Sequence, residues 1–158
     1  MALASYNPDC ERNISGNMRL FVTEADNVTS VTVVDGEITA YTLATGTEFH
    51  EIQGIIDTLL RTEEGEGNDS HIHHIHRIEI DIAHPSKELN DLRNQLADAS
   101  PCGIIAIVSD NNENVWMVGY SEDYGFTRPL FLREDNLNSG ASVEDLEAQR
   151  TKLILETL

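Results

Sequence analysis

Four histidines, His71, His73, His74 and His76, crowd one short stretch of the chain, and imidazole is the commonest transition-metal ligand. On a strand, successive side chains alternate between faces. His71 and His73 would share one face and His74 and His76 the other, so at most two converge without a bend. A third ligand would have to come from a facing strand, where His50 and several carboxylates are available, or from another subunit. Histidines beside an acidic loop more often form a solvated or subunit-facing surface. The sequence therefore assigns no metal and no cofactor, and keeps the four histidines only as weak candidates.

Other spacings that could carry chemistry fail on inspection. His50-Glu51 opens like a zinc-protease helix, but Gly54 stands where the second histidine is required. Asp110, Asn112 and Asn114 imitate the first ligands of a calcium loop, yet Val115 occupies the position of the turn glycine and no bidentate glutamate follows. An Asn-rich turn between strands is sufficient to explain them. There is no GxxxxGK[ST] phosphate loop, no GxGxxG after a strand and no GxSxG elbow. With 28 Asp and Glu in the chain, neighbours such as Glu122 and Asp123 arise by chance. No residue is assigned a catalytic role, and the chain is expected not to be an enzyme.

Composition narrows the partners. The 158 residues carry 10 Lys and Arg against 28 Asp and Glu, a net charge of −18. Phosphate-directed nucleic-acid binding and docking on anionic lipid both need clustered Lys and Arg, so both are disfavoured. No apolar run approaches the roughly 20 residues that span a bilayer. The first eight residues lack the basic flank and apolar core of a signal peptide. Cys10 and Cys102 have no CxxC partner, and are expected to be reduced thiols packed as small hydrophobes.

The elements that would position these residues are mostly strands. Residues 28–34 and 37–43 are rich in Val, Ile, Thr and Tyr and flank Asp35-Gly36, a dipeptide suited to a tight hairpin turn. In residues 71–83, Ile72, Ile78, Ile80 and Ile82 alternate with Arg77, Glu79 and Asp81. Paired with residues 47–62 across a polar connector at 63–70, they predict a long antiparallel hairpin arm spanning about 47–83, with an acidic tip. One helix is signalled by Pro85-Ser86 at its start, the stripe Leu89, Leu92 and Leu96, and a stop at Ser100-Pro101-Cys102-Gly103. Strands follow over 104–108, 115–120, 126–132 and 151–158. The expectation is one domain over 1–158: mainly β, sandwich or barrel-like, with one flanking α-helix and a long hairpin arm.

The opening Cys10-Glu11-Arg12-Asn13-Ile14-Ser15-Gly16-Asn17-Met18-Arg19-Leu20-Phe21-Val22, followed by a Val/Thr hairpin, resembles the start of small virion structural proteins from tailed phages of Bacteroidetes. Residues 103–120 are similar to another segment of those proteins, with an apolar strand, an Asp-Asn turn at Asp110-Asn111 and a strand containing Trp116 that ends near Gly119. The acidic residues 63–70 and the histidines depart from that pattern.

The resemblance implies a tail-tube protein: a β-sandwich with one helix, assembling into hexameric rings that stack into a tube. Its partners would be copies of itself, other tail proteins, and phage DNA passing through without specific binding. Its place would be the virion tail, assembled in the host bacterial cytoplasm, with no membrane anchor. An acidic channel wall would repel DNA phosphates. Glu79 and Asp81, opposite the isoleucine face, are the residues expected to line the lumen, with Glu51 or Asp57 from the partner strand. Glu63, Glu64, Glu66 and Asp69 are expected at a tip that contacts other subunits. The alternatives are another virion part (tail completion, head–tail joining or capsid decoration) or, from a different class, a histidine-dependent metal-binding module.

Overall fold

The computed structural model describes Leu3, Ser5 and residues 19–55, 58–68, 71–83, 87–110, 114–122, 125–138 and 150–157. Its strands are β1 (Arg19–Glu24), β2 (Val28–Val34), β3 (Glu37–Leu43), β4 (His50–Ile52), β5 (Leu60–Asn68), β6 (His71–Ala83), β7 (Ile104–Ser109), β8 (Val115–Val118), β9 (Leu130–Asn138) and β10 (Arg150–Thr157). The single helix among them, α1 (Lys87–Ala99), joins β6 to β7. The protein is thus mainly β with one helix, and every strand pairing is antiparallel. None of the helices described is long and apolar enough to cross a membrane.

Eight strands form one sheet in the order β4-β1-β7-β9-β10-β6-β5, with β8 also on β7. Between β7 and β9 the ladder shrinks to the single pair Ile104↔Leu130, because β8 takes the same edge of β7 from Ala106 to Ser109. The two halves of the sheet are therefore joined at this seam by one ladder pair. A second junction lies at its far ends. Ile55 N–H donates to the carbonyl of Asp81 at 2.7 Å, although β4 and β6 stand five strand positions apart. Those positions would span about 24 Å in a flat sheet, whereas the three residues from Ile52 to Ile55 reach at most about 11 Å. The sheet must curl until its ends stand side by side, without a continuous ladder closing a barrel.

The side chains that drive this curl share one face. Leu20 and Val22 of β1, Ile78, Ile80 and Ile82 of β6, Ile104, Ala106 and Val108 of β7, Leu130 of β9, and Leu153 and Leu155 of β10 form a single buried cluster. Helix α1 adds Leu89, Leu92 and Leu96, which are 1%, 2% and 1% exposed. At spacings of three and four these leucines make one stripe, so the helix docks on the concave side of the sheet. Its outer flank is tied down as well, where Arg93 pairs with Asp135 of β9. Leu132 N–H donates to Ser100 Oγ at 2.9 Å, anchoring the helix end.

The β2–β3 hairpin is a separate two-stranded sheet. Its turn is as the sequence predicts, with Asp35 at φ 52° and Gly36 at φ 80°, the left-handed pair of a tight hairpin turn. It meets the body through a small cluster in which Val28, Val31 and Leu43 join Ile105, Phe49, Met117 and Phe126, and through Tyr41, whose ring stands edge-on to Phe49 with centroids 5.3 Å apart.

Three expectations need correction. Residues 47–62 are not one strand of the long hairpin: His50–Ile52 pairs with β1 at the far end of the sheet, and β5 begins at Leu60. The local apolar pattern is the same for both edges, so it could not reveal this crossing. Residues 63–68 are not a loose connector either, since β5 continues through Asn68 with Asn68 opposite His71. Backbone pairing holds them as strand despite two glycines. Finally, Cys102 is free and exposed rather than packed, because the turn after α1 lifts it off the core; Cys10, with the quoted opening up to Met18, lies outside the described residues. Smaller shifts concern β9, which runs on to Asn138, and β1, to which the sequence pattern assigns no element.

Two substitutions test this architecture. Leu92→Ala removes a core side chain from the middle of the helix stripe and should cost about 2–5 kcal/mol in chemical denaturation; a loss within error would mean the helix is not part of the core. A Cβ at Gly54 would stand 2.5 Å from Ile80 Cγ1 and 2.6 Å from the Asp81 carbonyl oxygen. Gly54→Ala should therefore push Gly54 and Ile55 away from β6 and lower the melting temperature; an unchanged melting temperature would mean this close approach is not needed.

Candidate functional site

Beyond Arg77, β6 leaves β10 behind and pairs with β5 alone among the described strands. On the face continuous with Ile78, this distal hairpin brings charged groups together. Register places Glu63 opposite His76 and Gly65 opposite His74, and alternation puts His74 and His76 on that same face. Glu63 Oε1 is 3.4 Å from His74 Nδ1, and its Oε2 is 4.0 Å from His76 Nδ1. Arg61, two residues before Glu63 on β5, reaches Glu63 Oε2 with Nη2 at 3.4 Å. Its guanidinium also lies over the indole of Trp116 on β8, 4.7 Å from the ring centroid, a cation–π contact between strands that share no ladder. His76 is further fixed by its backbone N–H, which donates to Thr157 Oγ1 at 3.0 Å.

Burial is the main influence on the His76 ring and pushes its pKa below the ordinary histidine value. Glu63 opposes this, and Arg61 and His74 add to the lowering. Its Nδ1 is buried and makes no hydrogen bond, as is true of Arg61 Nε. No group of three or more His, Cys, Asp or Glu stands in a metal-holding arrangement among the described residues. Asp57 and Asp69, and the side chains of Glu66, His71 and His73, lie outside the described residues.

The opposite face of β6 carries Arg77, Glu79 and Asp81, while Ile78, Ile80 and Ile82 are buried. This is the alternation the sequence predicts. These charges are not free, however. Arg77 Nε is 2.8 Å from Glu79 Oε1, Lys152 Nζ is 3.7 Å from Glu79 Oε2, and Arg77 also approaches Glu156. Lys152 stands opposite Asp81 in the ladder. Glu51 is clamped by Arg19, whose Nε and Nη2 donate to its two carboxylate oxygens at 2.9 and 3.0 Å. That bond holds the Arg19 proton more tightly than usual. Glu64 is exposed on β5. Asp110 behaves as the turn reading requires, its carboxylate accepting from the Asn114 backbone N–H at 2.9 Å and from Asn114 Nδ2 at 3.0 Å.

Sequence reasoning singled out Glu63 and the histidines but missed Arg61 and Trp116. The signal for Arg61 was its i, i+2 spacing from Glu63, legible only once the register with His76 is known. Trp116 comes from β8, which no local pattern connects to β5.

No family model matches the chain, and no curated protein or solved structure is significantly similar to it.

The depressed His76 pKa has a definite sign. The unfolded ring takes up its proton near pH 6.5 and the folded one only at lower pH, so the contribution to stability is present above pH 6.5 and lost as pH falls. Urea midpoints should therefore drop between pH 7.5 and pH 5.5, and the drop should shrink in His76→Gln. An equal drop in both proteins would show that other groups carry the acid sensitivity.

Proposed function

We propose that the chain is a self-assembling structural protein of a phage virion, a tail-tube subunit forming stacked, hexameric rings around a channel for genome passage. The observation that carries this reading is the β2–β3 hairpin. In a chain of net charge −18, it is charged only at its turn, by Asp35 and Glu37. Both strands are exposed over most of their length. Val34, Ile38 and Tyr41 remain 52%, 38% and 45% exposed. A two-stranded ribbon is marginal in water without further packing, and this one shows apolar side chains on both faces, Ile38 beside Val33 on one and Val34 on the other, which a partner could cover. Between base and turn the strands carry no charged side chain, so like-charge repulsion from the ribbon itself is confined to Asp35 and Glu37.

The outer edge of β5 adds a second place for contact, since an unpaired strand edge is a template for another chain. Thus two hairpins support subunit contacts, β2–β3 and the distal part of β5–β6, in place of a single arm over 47–83. The channel wall is the part of the reading that shifts most. Glu51 and Glu79 are held by Arg19, Arg77 and Lys152, so a lumen built from them alternates in sign. Repulsion of DNA would then rest on the excess of unpaired carboxylates elsewhere.

Negative-stain microscopy of the purified chain tests the reading: open-ended stacks of rings support a tube subunit. A single ring that does not stack supports a head–tail joining or completion part, and a monomer at all concentrations overturns self-assembly. Val34→Lys with Ile38→Lys should leave far-UV circular dichroism unchanged and shift the protein to smaller species in sedimentation. Assembly at unchanged efficiency would remove the hairpin from the interface.

A further inference from the structure

We propose that His76, Glu63, Arg61 and Trp116 form an acid-sensitive latch, which holds the distal β5–β6 hairpin to β8 while the His76 ring is neutral and releases it when the ring takes up a proton. The latch does not depend on whether the chain builds tubes. It lies in a gap that no ladder closes, since β5 pairs only with β6 and β8 only with β7. Trp116 shares its face of β8 with Val118, a member of the core cluster. Arg61 and Glu63 share the corresponding inner face of β5. The Arg61 guanidinium over the Trp116 ring therefore bridges the gap from the core side.

One carboxylate serves three basic groups. Glu63 Oε2 is 3.4 Å from Arg61 Nη2 and 4.0 Å from His76 Nδ1, and Oε1 is 3.4 Å from His74 Nδ1. The buried His76 Nδ1 makes no hydrogen bond. A protonated ring carries N–H on both nitrogens, so Nδ1 then needs an acceptor, and the one it faces is the oxygen that Arg61 holds. Proton and guanidinium compete for the same atom. No second carboxylate among the described residues relieves them. Glu64 alternates to the opposite face of β5, and Glu156 of β10 lies beside Arg77 on the outer face. What β10 offers His76 is the Thr157 hydroxyl, already accepting from the backbone N–H. β8 offers the uncharged Trp116, and β6 itself offers another basic group, His74.

The fold lets the hairpin answer this imbalance locally. The β6–β10 ladder ends at Arg77, so residues beyond it are held by β5 and by the Arg61 bridge to Trp116. Opening a two-stranded end costs less than unfolding the core. Burial disfavours the charged ring in the closed state, whereas a hydrated ring takes up its proton near pH 6.5. Falling pH therefore moves the equilibrium toward the open state.

Trp116 is the only tryptophan of the chain, so its fluorescence reads the latch directly. On titration of the full chain from about pH 7.5 to about pH 5, the emission maximum should move to longer wavelength below pH 6.5 and return on neutralisation, with far-UV circular dichroism unchanged. His76→Gln should lose the shift and His74→Gln should keep it. Arg61→Gln, which removes the bridge, should emit at the longer wavelength already at neutral pH. His76→Asn takes the place of His76→Gln should circular dichroism show the latter unfolded. An emission maximum indifferent to pH in the unaltered chain, an equal shift in His76→Gln, or a shift that comes only with loss of the circular dichroism signal would each overturn the latch; the last would mark global unfolding.

Discussion

The alternation along β6 is the constraint on which the other elements depend. Ile78, Ile80 and Ile82 face the core while Arg77, Glu79 and Asp81 face outward. A slip of one residue against β10 would exchange the two sets. Burying each isoleucine contributes about 1.5–3 kcal/mol, and burying a charge in its place would cost several kcal/mol, so the register is strongly fixed. From it follow the seating of α1, whose leucines meet this isoleucine face, and the position of β10, whose Leu153 and Leu155 lie opposite Ile80 and Ile78. The outward set is fixed by the same choice, and finds its own partners in Lys152 and Glu156.

The second consequence is closure. Because the ends of the sheet meet at the Asp81 carbonyl, joined by Ile55 N–H and by Thr58, whose hydroxyl also accepts from Asp81 N–H, most strand edges in the body are used up. What stays open among the described strands is the outer edge of β4, β5 and β8, beside two hairpins. One carries charge only at its turn, through Asp35 and Glu37, and meets the body through Val28, Val31, Tyr41 and Leu43. The other is polar and charged, and runs past the end of the sheet. A body that keeps its core closed while leaving ribbons and strand edges outside it is suited to joining copies without unfolding any of them. That is the physical content of the structural-protein reading.

Charge modulates how such copies could meet. The carboxylate excess disfavours close approach over most of the surface, yet several carboxylates that look free in the sequence are paired with one or two basic residues. Arg19 serves Glu51, Arg77 and Lys152 serve Glu79, Arg61 serves Glu63, and Arg93 serves Asp135. Surface pairs of this kind add little to stability. Their effect is on pattern, since they leave the unbalanced charge elsewhere.

The residue order by itself determined what depends on near neighbours. The Asp35-Gly36 turn, the β2–β3 hairpin, the leucine stripe of α1 with its stop at Gly103, the capped turn at Asp110, and the inward isoleucines of β6 all follow from period and turn chemistry within a few positions. Tertiary structure decided what depends on partners far along the chain. It placed residues 50–52 at one edge of the sheet and 60–68 at the other, because an apolar residue reports that it is buried but not against what. It brought Trp116 over Arg61 and set Glu63 between His74 and His76. It also turned Glu51 and Glu79 from free acids into clamped ones. Alternation along a strand is a property of one segment, whereas register, seams and ion pairs belong to two segments at once, and only the folded chain holds both in place.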